Sequence, residues 1–202
     1  MAITAEQIEA AAVRWELSET LSRTDDAAEK LAAYGNLLLH WNARLSLTSI
    51  RDETQVVERH LMEGIFAAEH HPVGATALDF GSGTGIPGIP IAICRHNLVV
   101  TLAESHRKKA AFLQEVVRTL GLSASVQAVR AETLPSGSFD AVWMRAVDKS
   151  ATMLPAAAAL VANAGSLCLL GTGMIPPISP WQWKTHPLPG STGRVLHIGQ
   201  RA

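Results

Sequence analysis

The chain has 202 residues, 48% of them hydrophobic and 17% charged, with a net charge of −1. That is enough for one domain with a full core, and it excludes intrinsic disorder and a histone-like polycation. Two cysteines, Cys94 and Cys168, stand at no CxxC or zinc spacing. This argues against a disulfide scaffold or a structural metal, and both are expected buried as small hydrophobes.

Glu6 and Glu9 lie where a signal peptide would be apolar. The most apolar window, Ala151 to Leu170, is interrupted by Pro155, Asn163 and Gly165. It reads as a helix, a turn at 163–165 and a buried strand, not as a membrane span. A soluble, cytoplasmic protein is expected. Charge is uneven: residues 1–72 carry 6 Lys/Arg against 12 Asp/Glu, and residues 73–202 carry 11 against 6. An acidic first third beside a basic remainder points to a basic face for an anionic partner.

The first third reads as helical. Thr4 with Gln7 three residues on forms a capping box. Asp25 and Asp26 open a second helix running to about Trp41, with Asn42 as its C-cap and Trp41 in the core. A third helix is expected from Asp52 to about Glu69, ending at His70-His71-Pro72. The pattern then alternates: strand 75–80, helix 87–95, strand 98–103, helix 106–120, strands 124–129 and 139–144, helix 150–162, strand 166–170. This predicts an α/β fold with a mostly parallel sheet covered on both faces. The proline-rich stretch after Leu170 is expected to be loop, with Arg194–Ile198 as a final edge strand. The expected division is a helical extension, 1–72, and an α/β core, 73–202.

The strongest local signal is Asp79-Phe80-Gly81-Ser82-Gly83-Thr84-Gly85-Ile86-Pro87-Gly88. A buried strand runs into glycines that open a helix. Such a turn lets a ligand lie against bare backbone, at the carboxyl ends of the strands where α/β sheets bind ligands. Free N–H groups at the helix start favour a carboxylate or another anion. Glu104 follows Gly83 by 21 residues and ends the second strand, where a carboxylate can accept from both hydroxyls of a ribose. NAD and S-adenosylmethionine both present that diol, so the loop leaves the two open. Ala131 and Glu132 follow the next strand, at the rim where an adenine would lie. Arg107, Lys108 and Lys109 start a helix against its dipole, which a phosphate-contacting role would explain. Arg145 ends the strand 139–144 and points to the same rim, unless it pairs with Asp140 or Asp148. His60 reads as a structural histidine. The sequence offers no Ser-His-Asp elbow, no Walker loop and no HExxH.

Taken together, the pieces Trp41-Asn42, Leu47-Thr48, Arg51-Asp52, Arg59-His60, Gly81 to Pro90, Ser105, Lys108, Phe112-Leu113, Phe139-Asp140, Arg145-Ala146 and Arg194 carry a specific likeness. From about Leu31 to Ile198 the chain resembles the bacterial guanine-N7 methyltransferases of small-subunit ribosomal RNA, the glucose-inhibited division protein B family. The resemblance implies a class I methyltransferase fold (Rossmann-like) with a helical N-terminal extension, and S-adenosylmethionine as methyl donor. It implies 16S ribosomal RNA or the 30S subunit as partner, methylated at N7 of the guanine conventionally numbered 527. By position it puts Gly81, Gly83, Gly85, Ile86, Glu104, Ala131, Glu132 and Arg145 around the cofactor. Arg145 falls between cofactor and guanine as the catalytic candidate, and Arg107, Lys108, Lys109 and Arg194 fall on the RNA, with Lys149 and Lys184 as further phosphate contacts. No metal is expected, and a monomer is. An acceptor nitrogen with a free lone pair needs no general base, which fits the lack of an acid/base pair. The chain departs from the family at Ser46, where asparagine is usual, at Glu63-Gly64, where Asp-Ser is usual, and after Leu170, where a lysine is usual. Those departures keep open a methyltransferase with another acceptor; an NAD(P)-dependent oxidoreductase and an inactive RNA-binding relative are the further alternatives.

Overall fold

The computed structural model describes residues 2–145, 150–174 and 178–201. The first helix, α1 (Ala5–Arg14), starts on the expected capping box. Thr4 Oγ1 accepts from the Gln7 N–H, and Gln7 Oε1 accepts from the Thr4 N–H. Its buried positions, Ile8, Ala11 and Ala12, follow the helical period. After a single turn, α2 (Ser18–Leu21), comes the long α3 (Ala27–Leu45), which buries Leu31, Tyr34, Leu38 and Asn42 along one stripe.

Asn42 does not cap this helix. It lies inside the last turn, where its side chain accepts from the Thr48 N–H at 2.9 Å and donates to the Ile50 carbonyl at 3.0 Å. A buried amide has four hydrogen-bonding sites to satisfy, and the returning chain supplies two of them. Ser46 takes the cap, in the left-handed conformation at φ 51°. Trp41 is half-buried, tilted against Phe112 with ring centroids 5.7 Å apart.

The expected third helix is continuous but not uniform. It consists of α4 (Glu53–Val56), capped by Asp52, then a π-helical turn over Val57–Leu61, then α5 (Met62–Glu69). All residues from Leu61 to Ala68 are buried. The π turn carries Arg59 and His60, a place where such turns often serve a function.

Among the described residues the sheet has seven strands, in the order β3-β2-β1-β4-β5-β7-β6. They are β1 (Thr76–Phe80), β2 (Val99–Ala103), β3 (Ala124–Gln127), β4 (Phe139–Arg145), β5 (Val161–Thr172), β6 (Trp181–Pro187) and β7 (Arg194–Arg201). The first five are parallel, and β7 runs antiparallel between β5 and β6. Between them run α6 (Gly88–Cys94), α7 (Arg107–Leu120) and α8 (Ser150–Leu160).

Successive strand residues enter two different cores, as the period of a strand requires. Ala77, Val100, Leu102, Ala141, Trp143, Cys168 and Leu196 join α1, α3, α5, α6 and α7. Leu78, Phe80, Ala103, Val142, Met144, Leu167 and Leu169 face α8. The first core runs from Ile3 to Leu196 without a break at residue 72, so the N-terminal helices pack as a layer of the same core. Both cysteines are buried and free.

Two expectations fail in the C-terminal third. Asn163-Ala164-Gly165 is not a turn before a strand; it lies within β5. The register jumps from Phe139↔Val161 to Ala141↔Ser166, so β5 bulges there while remaining paired with β4. The second concerns the edge. β7 is an inner strand, and the edge belongs to β6, inside the segment expected to be loop. Its alternating Trp181, Trp183 and Thr185 read as a strand once β7 is there to pair with it. Pro176 and Pro177 from that stretch lie outside the described residues.

Candidate active site

Asp79 near the end of β1 organises the glycine loop. Its carboxylate is buried and accepts from the Gly88 N–H at 3.1 Å, and its carbonyl accepts from the Ser82 hydroxyl at 2.9 Å. Burial pushes the carboxyl up to about 7. The loop folds back so tightly that only glycine fits at two points. A Cβ on Gly88 would stand 2.4 Å from Leu102 and 2.7 Å from the Asp79 carboxylate. One on Gly85, at φ +95°, would stand 2.5 Å from Ile89. Tyr34 of α3 closes the loop from behind, its buried hydroxyl donating to the Thr84 carbonyl at 2.6 Å. Burial pushes this phenol well above its usual range.

The start of α6 is not an open anion site, contrary to expectation. Gly88 N–H is taken by Asp79 and Ile89 N–H by the Gly85 carbonyl. The open part of the loop comes earlier. At Gly81 no atom beyond its immediate chain neighbours lies within 4 Å of the place a Cβ would occupy, so bare backbone faces free space at the carboxyl end of β1. Next to it, the Gly83 N–H donates to Glu104 Oε2 at 2.9 Å, and Glu104 Oε1 accepts from the His106 N–H at 2.6 Å. Each carboxylate oxygen keeps a further lone pair for a ligand hydroxyl. Glu104 is thus fixed at the tip of β2 with acceptor capacity to spare. Ile86 is buried in the loop. Ala131 is buried in a short 3-10 turn, Ala131–Thr133, beside β4, while the exposed Glu132 pairs with Arg130 at 2.7 Å.

The sheet brings a second cluster to the same rim, at the end of β4 and the start of β7. Arg145, the last residue of β4, pairs with Glu63 of α5 at 3.1 Å and donates to the Arg59 carbonyl at 2.9 Å. Arg194, the first residue of β7, pairs with the same Glu63 oxygen at 2.7 Å. The partner of Arg145 is therefore neither Asp140 nor any other residue of its own strand. Asp140 instead accepts from the Ala75 and Thr76 N–H groups at 2.8 and 3.0 Å. Asp148, Ala146 and Lys149 lie outside the described residues. The Glu63 side chain is only 2% exposed. Burial raises its carboxyl, and Arg145 and Arg194 pull it back. His60 is buried near this cluster, its Nε2 3.4 Å from Thr48 Oγ1; burial first and Arg145 second lower it to about 3.

The remaining candidates do not join this cluster. Arg107 and Lys108 are exposed and Lys109 half-buried in the first turn of α7, while Lys184 is exposed on the edge strand β6. Among the described residues no group of three or more His, Cys, Asp or Glu could hold a metal ion, and no helix is long and apolar enough to cross a membrane.

Glu63 and Tyr34 were not singled out as site residues by the sequence. Glu63 had one signal: it is the sole charge within the apolar run Leu61–Ala68. The departures also acquire physical content. Gly64 lets α5 approach α6, where a Cβ would stand 2.3 Å from Pro90. Gly171 is buried inside β5.

A parallel sheet with an antiparallel β7 between β5 and β6, and a glycine loop at the end of β1, define the class I methyltransferase fold. The family described as rRNA small subunit methyltransferase G (GidB) matches residues 27–173, and this chain belongs to it. The ribosomal RNA small subunit methyltransferase G of Xylella fastidiosa (strain 9a5c) is 44% identical over 139 residues, 68% of this chain and 65% of that protein. The chain thus spans just under two thirds of that relative's length. The protein of the same name from Neisseria meningitidis is 37% identical, over 77% of this chain and 72% of its own. Among solved structures, a SAM-dependent methyltransferase from Aquifex aeolicus superposes with a TM-score of 0.57 at 12% identity, over 77% of this chain and 96% of its own. The mitomycin 7-O-methyltransferase MmcR superposes at 0.61 and 15% identity, over 97% and 70%. These two likenesses concern the fold alone. Family and fold together imply S-adenosylmethionine as cofactor, and the bare Gly81 backbone beside a fixed Glu104 carboxylate fits that group.

Proposed function

We propose that this chain transfers a methyl group from S-adenosylmethionine to N7 of a guanine in 16S ribosomal RNA. The observation that carries the reading is the joined rim of β1 and β2: open backbone at Gly81, and the Gly83 N–H locked to Glu104. Gly81, Gly83, Gly85 and Ile86 would line the methionine and ribose side. Glu104 would accept from the ribose hydroxyls, and Ala131 and Glu132 would border the adenine. When bound, the cofactor supplies an electrophilic sulfonium methyl. Guanine N7 has a free lone pair and no proton to lose, so the protein's task is orientation. Arg145 would lie between cofactor and guanine, with Arg194 beside it. The exposed Arg107 and Lys108, with the half-buried Lys109, would supply contacts to RNA phosphates, so binding weakens as salt rises.

In this reading residues 73–202 are the cofactor-binding core and residues 1–72 a helical extension that closes the acceptor side through Glu63. The protein works as a cytoplasmic monomer on the 30S subunit or its RNA. The test is transfer of labelled methyl to 30S subunits lacking the modification, with the labelled nucleoside mapped. Label on N7 of one guanine is the expected result. Absence of label while cofactor still binds would move the acceptor elsewhere.

A further inference from the structure

The acceptor rim has a feature that neither the fold nor the glycine loop requires. Arg145 and Arg194 come from two strands that are not neighbours; β5 lies between them, with Arg145 opposite Leu170 and Arg194 opposite Thr172. Both guanidinium groups nevertheless converge on one oxygen of Glu63, at 3.1 and 2.7 Å. Two like charges repel, and an anion between them offsets that repulsion. Long arginine side chains also have many rotamers to choose from, and the choice here is made by a carboxylate of another layer. That layer is tied in a second time, since Arg145 also donates to the carbonyl of Arg59 in the π turn.

The charge count leaves the cluster incomplete. One carboxylate faces two guanidinium groups, so a net positive charge remains on a rim where Arg145 and Arg194 are still 20% and 18% exposed. The Nε of Arg194 is buried and has no partner among the described residues. The carboxylate itself is shut away from solvent. Glu63 therefore cannot reach an acceptor, whereas both arginines can. This is the arrangement of a holder and two held groups.

We propose that Glu63 is the positioning residue of the acceptor rim, fixing Arg145 and Arg194 in one shared orientation toward the acceptor while touching no substrate itself. The proposal rests on the methyltransferase reading for its kinetic readout, and on a second readout that does not need it. The variants are Glu63→Gln, which keeps the shape and removes the charge, and Glu63→Asp, which keeps the charge on a shorter arm. With unmodified 30S subunits as acceptor, Glu63→Gln is expected to lower kcat at least tenfold while KM for S-adenosylmethionine stays within about twofold. Glu63→Asp is expected to recover part of that loss. In a background lacking both arginines (Arg145→Ala with Arg194→Ala), adding Glu63→Gln is expected to cost nothing further, because a holder has no effect without the groups it holds.

The second readout is arginine side-chain NMR on the free protein. Two Nε–H signals, assigned by single substitution to Arg145 and Arg194, should be dispersed and slow to exchange in the wild type. They should collapse toward free arginine in Glu63→Gln. Turnover of folded Glu63→Gln within twofold of wild type overturns the proposal. So does a further loss in the arginine-free background, or a fall in cofactor affinity that tracks thermal melting. If Glu63→Gln does not fold, Glu63→Asp carries the same comparisons. If the wild type itself transfers no methyl, the functional reading falls, and the NMR signals alone decide whether Glu63 holds the arginines.

Discussion

The glycine rim at β1–β2 and the arginine rim at β4–β7 lie on the same edge of one sheet and are built in opposite ways. The first is made of backbone. Its parts, Asp79 to Gly88 and Glu104, span 26 residues of chain, and its contacts are N–H groups on two carboxylates. The second is made of side chains, and its key pair, Glu63 with Arg194, is 131 residues apart in sequence. Backbone donors are set by chain direction and turn geometry, so a change of residue type there acts by filling space. Side-chain ion pairs are set by packing between layers, so a change there acts by releasing a charge. The cofactor rim is therefore expected to be sensitive to bulk, and the acceptor rim to charge.

The largest effect that would break this contrast is on binding. Gly83→Asp is expected to leave the fold standing, because aspartate tolerates a φ of +59° and the nearest atom to the new Cβ is 3.8 Å away. It would fill the space beside Glu104 with a side chain and add a second carboxylate there. Calorimetric affinity for S-adenosylmethionine is expected to fall at least about a hundredfold, roughly 2.7 kcal/mol, whereas Arg194→Ala is expected to change it less than threefold. Similar losses in both variants would mean that the two rims form one indivisible site.

A smaller effect separates the rims by pH. Burial raises Asp79 from 3.8 to about 7, so the folded state holds that proton more tightly than the unfolded chain does. Its contribution is complete below about pH 4 and is lost as pH rises through 7. Burial lowers His60 to about 3 and His71 to about 4, both from 6.5. Their contribution is complete above 6.5 and is lost as pH falls. Between about pH 4 and 6.5 the two trends oppose each other. Asp79→Asn is expected to remove one of them, so that urea midpoints of the variant climb more steeply with pH than those of the wild type. Parallel curves would show that Asp79 ionises normally.

The smallest effect belongs to the extension that carries Glu63. Ser46 adopts φ 51° at the end of α3, a conformation in which asparagine is far more at home than serine. Ser46→Asn is expected to stabilise the fold by about 0.5 kcal/mol, a rise of a few degrees at most in thermal midpoint, with methyl transfer unchanged. A change in turnover would tie this turn to the acceptor rim.

The elements that were easiest to read are those with a local cause. Thr4 and Gln7 cap α1 because their side chains reach only their own first turn. The glycine loop was legible because a strand ending in closely spaced glycines has few alternatives. The misreadings have non-local causes. Asn163-Ala164-Gly165 looks like a turn until β4 is beside it to absorb the bulge. Trp181–Pro187 looks like loop until β7 pairs with it along its whole length. Asn42 looks like a cap until the chain returns with Thr48 and Ile50.

The sequence by itself determined the alternation of strands and helices, the loop at the end of β1, and Glu104 as its acidic companion. Each of these depends on hydrophobic period or on the steric freedom of glycine, which are properties of neighbouring residues. Only the tertiary structure decided that β7 lies inside the sheet, that the extension shares the main core, and that Glu63 binds two arginines. Those outcomes depend on which apolar faces and which buried charges find each other across the fold, and no local rule encodes that choice.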